Sequence, residues 1–472
     1  MGGRCTSDPN ARRAAGLVGG AALLLFALML ALYWPGYATY DSVVQYGQVL
    51  AGRYDDWHPP AMARLWALLG GARLGTAPMF LLQAGLYWTG LGLIGARLAL
   101  IGRPRAGWAV LALGLLPPVI GWQAVILKDA QMLGALVAAT GLAAWTRLAG
   151  RPTRAAAWAA IALLLLYAVL VRANAVFAVA PFAVLLARRP QGWIARAALV
   201  CVATLATLAA MPFIDHDLLG AQRSGVARAQ AIYDLAGIAV HDPADTSARA
   251  RLLRAGHCWT PFYWDRLGEV PCEQATRRWE ALSPGTLYGM LGAAVIRHPL
   301  AYAQARLAHL NSTGRWLVPR AWPNAAPPRA SEPDRDGLAA PGPAANAVQR
   351  LLGGLSDTPP GWPVCWLVVA TLALSAALPA RGEPAADLAI ALALSALALE
   401  ASFMLVSIAS DLRYHMWPML AAGLALILAA DRLTRRRVGI AALAHVALIG
   451  PAMGARLLLP PAGDPAHWAA GR

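Results

Sequence analysis

The residues able to do chemistry gather at a few points of the chain. Asp41, Asp55, Asp56 and His58 fall within "YDSVVQYGQVLAGRYDDWHPP" (positions 40–60), directly after the first long apolar run. Lys128 and Asp129 sit where two apolar runs meet with almost no loop between them. Arg172 occupies another tight corner, and Arg413 and His415 belong to "DLRYH" (411–415). Glu400 lies inside an apolar run, about two turns from its end. Lys128 is the single lysine in a chain whose other basic residues are all arginine. A carboxylate beside a membrane could act as general base toward a hydroxyl or amine. Cations at separate corners could hold a shared anion and stabilise a phosphate leaving group. A compact ammonium suits a lipid phosphate. Together these parts suit group transfer from a phospholipid-like donor.

Each residue also has a plainer structural reading. Asp41 fits the N-cap of a short helix, a role compatible with a functional one. His58, before two prolines, is held extended or in a turn and could be a solvated loop histidine. Lys128 and Asp129 could form an interfacial ion pair, since the ~2.5–3.5 kcal/mol cost of a charge at a helix centre falls near the interface. That reading leaves the placement of the single lysine unexplained. Glu400 is a functional candidate because it is an intramembrane carboxylate, or it pairs with an arginine of a neighbouring span.

The elements that must position these residues are membrane spans. Of 472 residues, 58% are hydrophobic and 14% charged, with a mean hydropathy of +0.50. A soluble domain carries about 25% charged residues. Apolar runs near the ~20 residues a bilayer requires are predicted at 17–34, 77–98, 107–126, 130–147, 155–171, 175–187, 194–213, 362–380, 387–408, 414–431 and 439–459. The fold class is therefore an all-α polytopic membrane protein of about eleven spans. Its net charge of +16 lies in short gaps: "GRPR" (102–105), "GRPTR" (150–154), "ARRPQG" (187–192), "ARG" (380–382) and "DRLTRRR" (431–437). With this count all five fall on one side, the pattern of cytoplasmic loops. No basic run with interleaved aromatics suggests a nucleic-acid surface. The first span reads as a retained signal anchor with a cytoplasmic N-terminus, because no small-x-small cleavage site follows it. The reactive residues then face the outer side of a cell membrane.

Four regions follow: an N-terminal membrane module (1–213) holding the first outer loop (35–76), a large outer segment (214–361), a C-terminal group of spans (362–459) and a tail (460–472). Within the first outer loop, Val43, Tyr46, Val49 and Leu50 have the spacing of an interfacial helix. "AMARLWALLGGARL" (61–74) reads as a second one. In the outer segment, "CWTPFYWDRLGEVPC" (258–272) is expected to belong to a small ordered cap, and "NAAPPRASEPDRDGLAAPGPAANA" (324–347) to be a loose linker. The cysteines show no metal-type C-x-x-C spacing. Cys201 and Cys365 lie in apolar spans and Cys5 in the N-terminal tail. Cys258 and Cys272 could form a disulfide outside the cytoplasm or remain two thiols.

The first outer loop resembles that of the GT-C superfamily of integral-membrane glycosyltransferases, in particular the branch of protein O-mannosyltransferases and aminoarabinose transferases. The likeness rests on Asp41 after the first span, then Gly52, Tyr54, His58, Pro59 and Pro60 before the second. "LKDAQMLGALVAATGLAAW", "VRANAVFAVAPFAVLLARR" and "RYHMWPMLAAGLALIL" also look like family segments, so the resemblance covers roughly 15–213 and 362–431. The outer segment shows none. The resemblance implies a polyprenyl-phosphate sugar donor used on the outer face, membrane lipids as surroundings, and a glycan, lipid or protein acceptor. It implies Asp41 as base or organiser of the acceptor, Lys128, Arg172 and Arg413 as donor-phosphate contacts, and His58 as a pocket residue. By position, Tyr54, Asp129, His415 and Glu400 are further substrate-binding candidates. Many relatives carry two adjacent acids where this chain has Asp41 followed by Ser42, so no required divalent metal or other cofactor is expected. Two other readings are a transporter or flippase of lipid-linked saccharides, and a catalytically silent assembly protein.

Overall fold

The computed structural model describes residues 8–150, 152–187 and 192–461, and among these every regular element is helical. Cys5 and most of the C-terminal tail lie outside the described residues, as do parts of two arginine-bearing gaps. Seven helices are long and apolar enough to cross a membrane: Pro9–Tyr33, Ala77–Leu100, Trp193–Leu218, Pro363–Ala380, Pro384–Val406, Leu412–Arg432 and Arg435–Leu458. The bent pair Pro104–Gly114 and Pro117–Gln123 could serve as an eighth. The region expected to be one span over 107–126 is thus broken, with a 60° bend. Pro117 and Pro118 explain the break, since proline removes a backbone donor and disfavours helix in the residue before it.

After helix Pro117–Gln123 a short non-helical stretch carrying the bridge residue Val125 leads into helix Lys128–Arg147. Backbone without helical partners is costly inside a membrane bundle, so its polar groups must be met by other protein groups. Here Tyr37 N–H donates to Ala124 O (3.0 Å) and Ile126 N–H to Tyr37 O (2.8 Å). The Gln83 side chain donates to Gln123 O and Val125 O at 2.7 and 2.9 Å. This buried, hydrogen-bonded crossing sets where Lys128 and Asp129 emerge.

Helix Lys128–Arg147 is held against helix Ala77–Leu100 by backbone-to-backbone approach. A Cβ on Gly90 would stand 2.4 Å from Val137 O, and one on Gly141 would stand 2.7 Å from Gly90 O. Small residues at such crossings allow the packing on which membrane helix association depends. Gly90→Leu is therefore expected to force the two helices apart, at a cost above the ~1–3 kcal/mol of ordinary overpacking. Thermal unfolding of purified protein in detergent measures this; a midpoint equal to wild type would refute the close crossing.

The segment 214–361 forms a helical layer with its own core, built from helices Ala229–His241, Ala248–Ala255, Glu273–Glu280, Pro284–Arg297 and Pro299–Gly314. Cys258 and Cys272 are joined in a disulfide. The stretch expected as a loose linker carries no helix before Pro343, yet it is strapped down. Glu332 N–H donates to Ala38 O (2.9 Å), Ala38 N–H to Ser331 Oγ (3.1 Å), Leu412 N–H to Asn324 O (3.0 Å), and Tyr37 OH to Asn346 Oδ1 (2.7 Å). Low complexity described its composition, whereas its partners come from distant parts of the chain. At the opposite end of the bundle the basic gaps meet, with Arg103 paired to Asp431 at 3.0 Å and Arg432 to Glu383.

Candidate functional site

Helix Tyr40–Ala51 begins at Thr39, whose N–H donates to Ser42 Oγ (3.0 Å). Thr39, not Asp41, is thus the N-cap, and Asp41 in the first turn has its carboxylate free for other partners. The buried stripe of this helix is Ser42, Gln45, Tyr46, Gln48 and Val49. It is rotated from the expected apolar face, because Leu50 is exposed and the Ser42 hydroxyl bonds Ile126 O (2.5 Å). That bond joins the helix to the extended crossing just before Lys128. Gly52, at φ 63°, ends the helix in the left-handed conformation glycine adopts without strain.

Six of the expected residues come together there. Arg413 Nη1 lies 3.1 Å from Asp41 Oδ2, its Nε 3.7 Å from Asp129 Oδ2, and its Nη2 3.1 Å from Asp411 Oδ2. Arg172 Nη1 lies 2.9 Å from Asp129 Oδ1, and its guanidinium stacks 4.1 Å over the Tyr414 ring. Lys128 Nζ is 2.7 Å from His58 Nδ1, and His58 Nε2 is 4.0 Å from Asp41 Oδ1. Asp129 is fully buried, and His58 is 4% exposed. These residues arrive from four separate stretches of chain, and a cluster with so little exposure requires near-complete mutual compensation.

The expected ring of free cations is therefore a charge-balanced network. Arg172 and Arg413 are committed to Asp129, Asp41 and Asp411, whereas Lys128 contacts a neutral imidazole and no carboxylate within 4 Å among the described residues. For Asp41, burial would raise the carboxyl pKa, but the fields of Arg413, Lys128, His58 and Arg172 outweigh it and hold the group well below the usual range. Burial pushes His58 down to about 3, reinforced by Lys128 against the opposing pull of Asp41. Neutral His58 must accept at Nδ1 from the ammonium and so carries its proton on Nε2, toward Asp41. That Nε2 is buried without a hydrogen-bond partner, leaving one donor free beside an ionised carboxylate.

The remaining candidates lie apart from this contact network. Tyr54 is buried under the Arg64 guanidinium (4.0 Å), and its carbonyl accepts from Gln222 N–H (2.8 Å), so it anchors the loop. Asp55 accepts from Trp57 N–H, and Asp56 from Ser224 N–H and Oγ, which likewise position the loop. Glu400 pairs with His415 Nδ1 at 2.7 Å, rather than with an arginine, and His415 Nε2 lies 2.9 Å from Thr313 Oγ1. His415 is two residues from Arg413 but turns into a different contact set. Asp411 and Tyr414 escaped the sequence reading although they flank Arg413 in "DLRYH"; their signal was the unusual density of polar groups at the mouth of an apolar run. Among the described residues no group of three His, Cys, Asp or Glu is arranged to hold a metal ion.

Fold and site together define a polytopic helical membrane protein with a buried, charge-balanced cluster at one end of its bundle. No protein-family model, curated protein or solved structure matches the chain.

Proposed function

We propose that this protein is a GT-C-like membrane glycosyltransferase, moving a sugar from a polyprenyl-phosphate donor to an acceptor on the outer face of the cell membrane. The observation that carries this reading is the convergence of Asp41, His58, Lys128, Asp129, Arg172 and Arg413 beside the first loop. Seven helices are long and apolar enough to span, or eight with the bent pair; the proposal of eleven spans requires Lys128–Arg147 and the shorter apolar helices Ala155–Val171 and Ala173–Leu186 to cross as well. Placing the arginine-rich gaps in the cytoplasm puts the cluster outside.

In this reading the acceptor oxygen or nitrogen forms a bond to the anomeric carbon as the bond from that carbon to the donor phosphate breaks. Polyprenyl phosphate leaves with the electron pair. Asp41 orients the acceptor O–H or N–H and takes its proton. A carboxylate held so acidic is a weak base, which suits late transfer, once attack has made that proton strongly acidic. Lys128 stands closest to offering a cation to the phosphate, because among the described residues no carboxylate in contact already satisfies it. Lys128→Ala is expected to raise the donor KM at least tenfold with a smaller change in kcat. Unchanged donor dependence would remove it from the phosphate site.

Mass spectrometry of lipids and glycans from membranes with and without the protein tests the function. Loss of one sugar from one glycoconjugate, with a rise in its lipid-linked donor, is expected. A lipid-saccharide transporter is the second reading, favoured by the broken helix Pro104–Gly114 and Pro117–Gln123, since interrupted spans line transport sites. Movement of labelled lipid across liposomes containing the protein, with no glycosidic product, would select it.

A further inference from the structure

The disulfide-closed loop Cys258–Cys272 contacts chain segments adjoining the cluster at two points. Its Phe262 carbonyl accepts from Ser410 N–H at 2.9 Å, and its Pro261 carbonyl from Ser410 Oγ at 3.2 Å. Trp264 packs on Trp57, the neighbour of His58, with ring centroids 5.2 Å apart. The loop is thus pinned beside Asp411 at one point and beside His58 at the other. Between and beyond these anchors lie Tyr263, Trp264 and Asp265, all partly exposed.

Asp265 is the unusual member. Its carboxylate has no ion pair or hydrogen bond to another side chain among the described residues, although Asp41 and Asp411 are near enough to act on it. Burial pushes its carboxyl up to about 6; a hydrogen bond from its own backbone N–H opposes the rise, and those two acids add to it. Asp41 and Asp411 are satisfied by Arg413, whereas among the described residues only its own backbone N–H answers Asp265. A half-buried acid facing other acids costs free energy unless a ligand supplies donors. The unpartnered Nε2–H of His58, itself 4% exposed, is a second unanswered group at the same site. Hydroxyl donors would satisfy the acid, a ligand oxygen would satisfy the imidazole N–H, and Trp57 and Trp264 offer apolar faces. A pyranose or furanose ring presents all three complements: paired hydroxyls, ring and hydroxyl oxygens, and a C–H face.

We propose that the loop Cys258–Cys272 forms the acceptor side of the site, and that Asp265 and Trp264 bind a saccharide acceptor through its hydroxyls and its ring face. Naming the ligand an acceptor rests on the transferase reading; the saccharide-binding site does not. Asp265 binds through a bidentate contact to neighbouring hydroxyls. Trp264 is held in place by Trp57, and the disulfide restricts the loop that carries both.

Saturation-transfer NMR on the full-length protein in detergent tests this, using a panel of methyl glycosides of common hexoses and pentoses. At least one glycoside is expected to bind saturably to wild type. Asp265→Ala and Trp264→Ala should each weaken it tenfold or more, and Asp265→Asn should weaken it less. Monodisperse elution of each variant controls for folding, and Asp265→Asn keeps the test open if an alanine variant fails to fold. Absence of glycoside binding, or binding indifferent to both Asp265 substitutions, overturns the proposal. If sugar transfer from lipid-linked donor to a protein or lipid acceptor persists in that case, the transferase reading survives without the saccharide acceptor. Asp265-dependent glycoside binding in a protein that processes no lipid-linked donor would sink the transferase reading and leave the site standing.

Discussion

Asp41→Asn is expected to reduce sugar transfer by a factor on the order of 10²–10⁴ while leaving expression and membrane insertion intact. The substitution keeps the shape of the side chain and removes its charge and proton-accepting capacity. Arg413 retains Asp129 and Asp411 after the change, so the fold does not depend on Asp41 alone. The measurement is turnover of lipid-linked donor by purified variant, with loss in kcat rather than in donor KM. Wild-type turnover in Asp41→Asn would end the assignment. Asp41 titrates below the ordinary ~3.9 of an aspartate and His58 near 3, so neither changes charge between about pH 5 and 8. The acid limb of the rate profile should therefore not bend in that window on their account. Stability behaves differently for His58. The unfolded imidazole takes up a proton as pH falls through about 6.5 while the folded one does not, so its contribution to stability declines from there down to about pH 3.

Asp129→Ala should produce the largest loss of stability of any substitution in the cluster. Asp129 is fully buried and is the shared partner of Arg172 and Arg413. Removing one member of a buried ion pair costs about 3–5 kcal/mol, because the remaining charge is left uncompensated. Here two guanidiniums lose a partner. Arg172 would keep only its stacking on Tyr414 among the contacts of the cluster. The expected outcome is a marked fall in the thermal midpoint in detergent and a poor yield of monodisperse protein, with Asp129→Asn intermediate. Glu400→Gln is the comparison, since that residue retains a hydrogen-bonding group for His415. A midpoint for Asp129→Ala equal to that of Glu400→Gln would show that Asp129 does not hold the network.

These two aspartates also show how far the sequence could be read. Asp41 and Asp129 each stood out because a carboxylate is rare and costly beside apolar runs, a property local to the chain. Their separate duties were invisible there. One sits in a first turn whose cap is Thr39, and the other begins a helix packed through Gly90 and Gly141. Lys128 was conspicuous as the single lysine. That it faces His58 rather than a carboxylate follows from where the buried crossing at Val125 releases the chain.

Hydropathy and the repeated arginine gaps determined by themselves that this is a helical membrane protein, because burial in lipid demands long apolar runs regardless of their neighbours. They also marked which corners carry charge. Only the tertiary structure decided that the run 107–126 is broken and that Arg172 and Arg413 are already paired to carboxylates while Lys128, among the described residues, is not. It also decided that the strap 324–342 is tied down and that Asp265, near Asp41 and Asp411, has no side-chain partner among the described residues. Composition and periodicity report the solvent each residue will tolerate. Charge compensation depends on distances between residues hundreds of positions apart, and those exist only once the helices have packed.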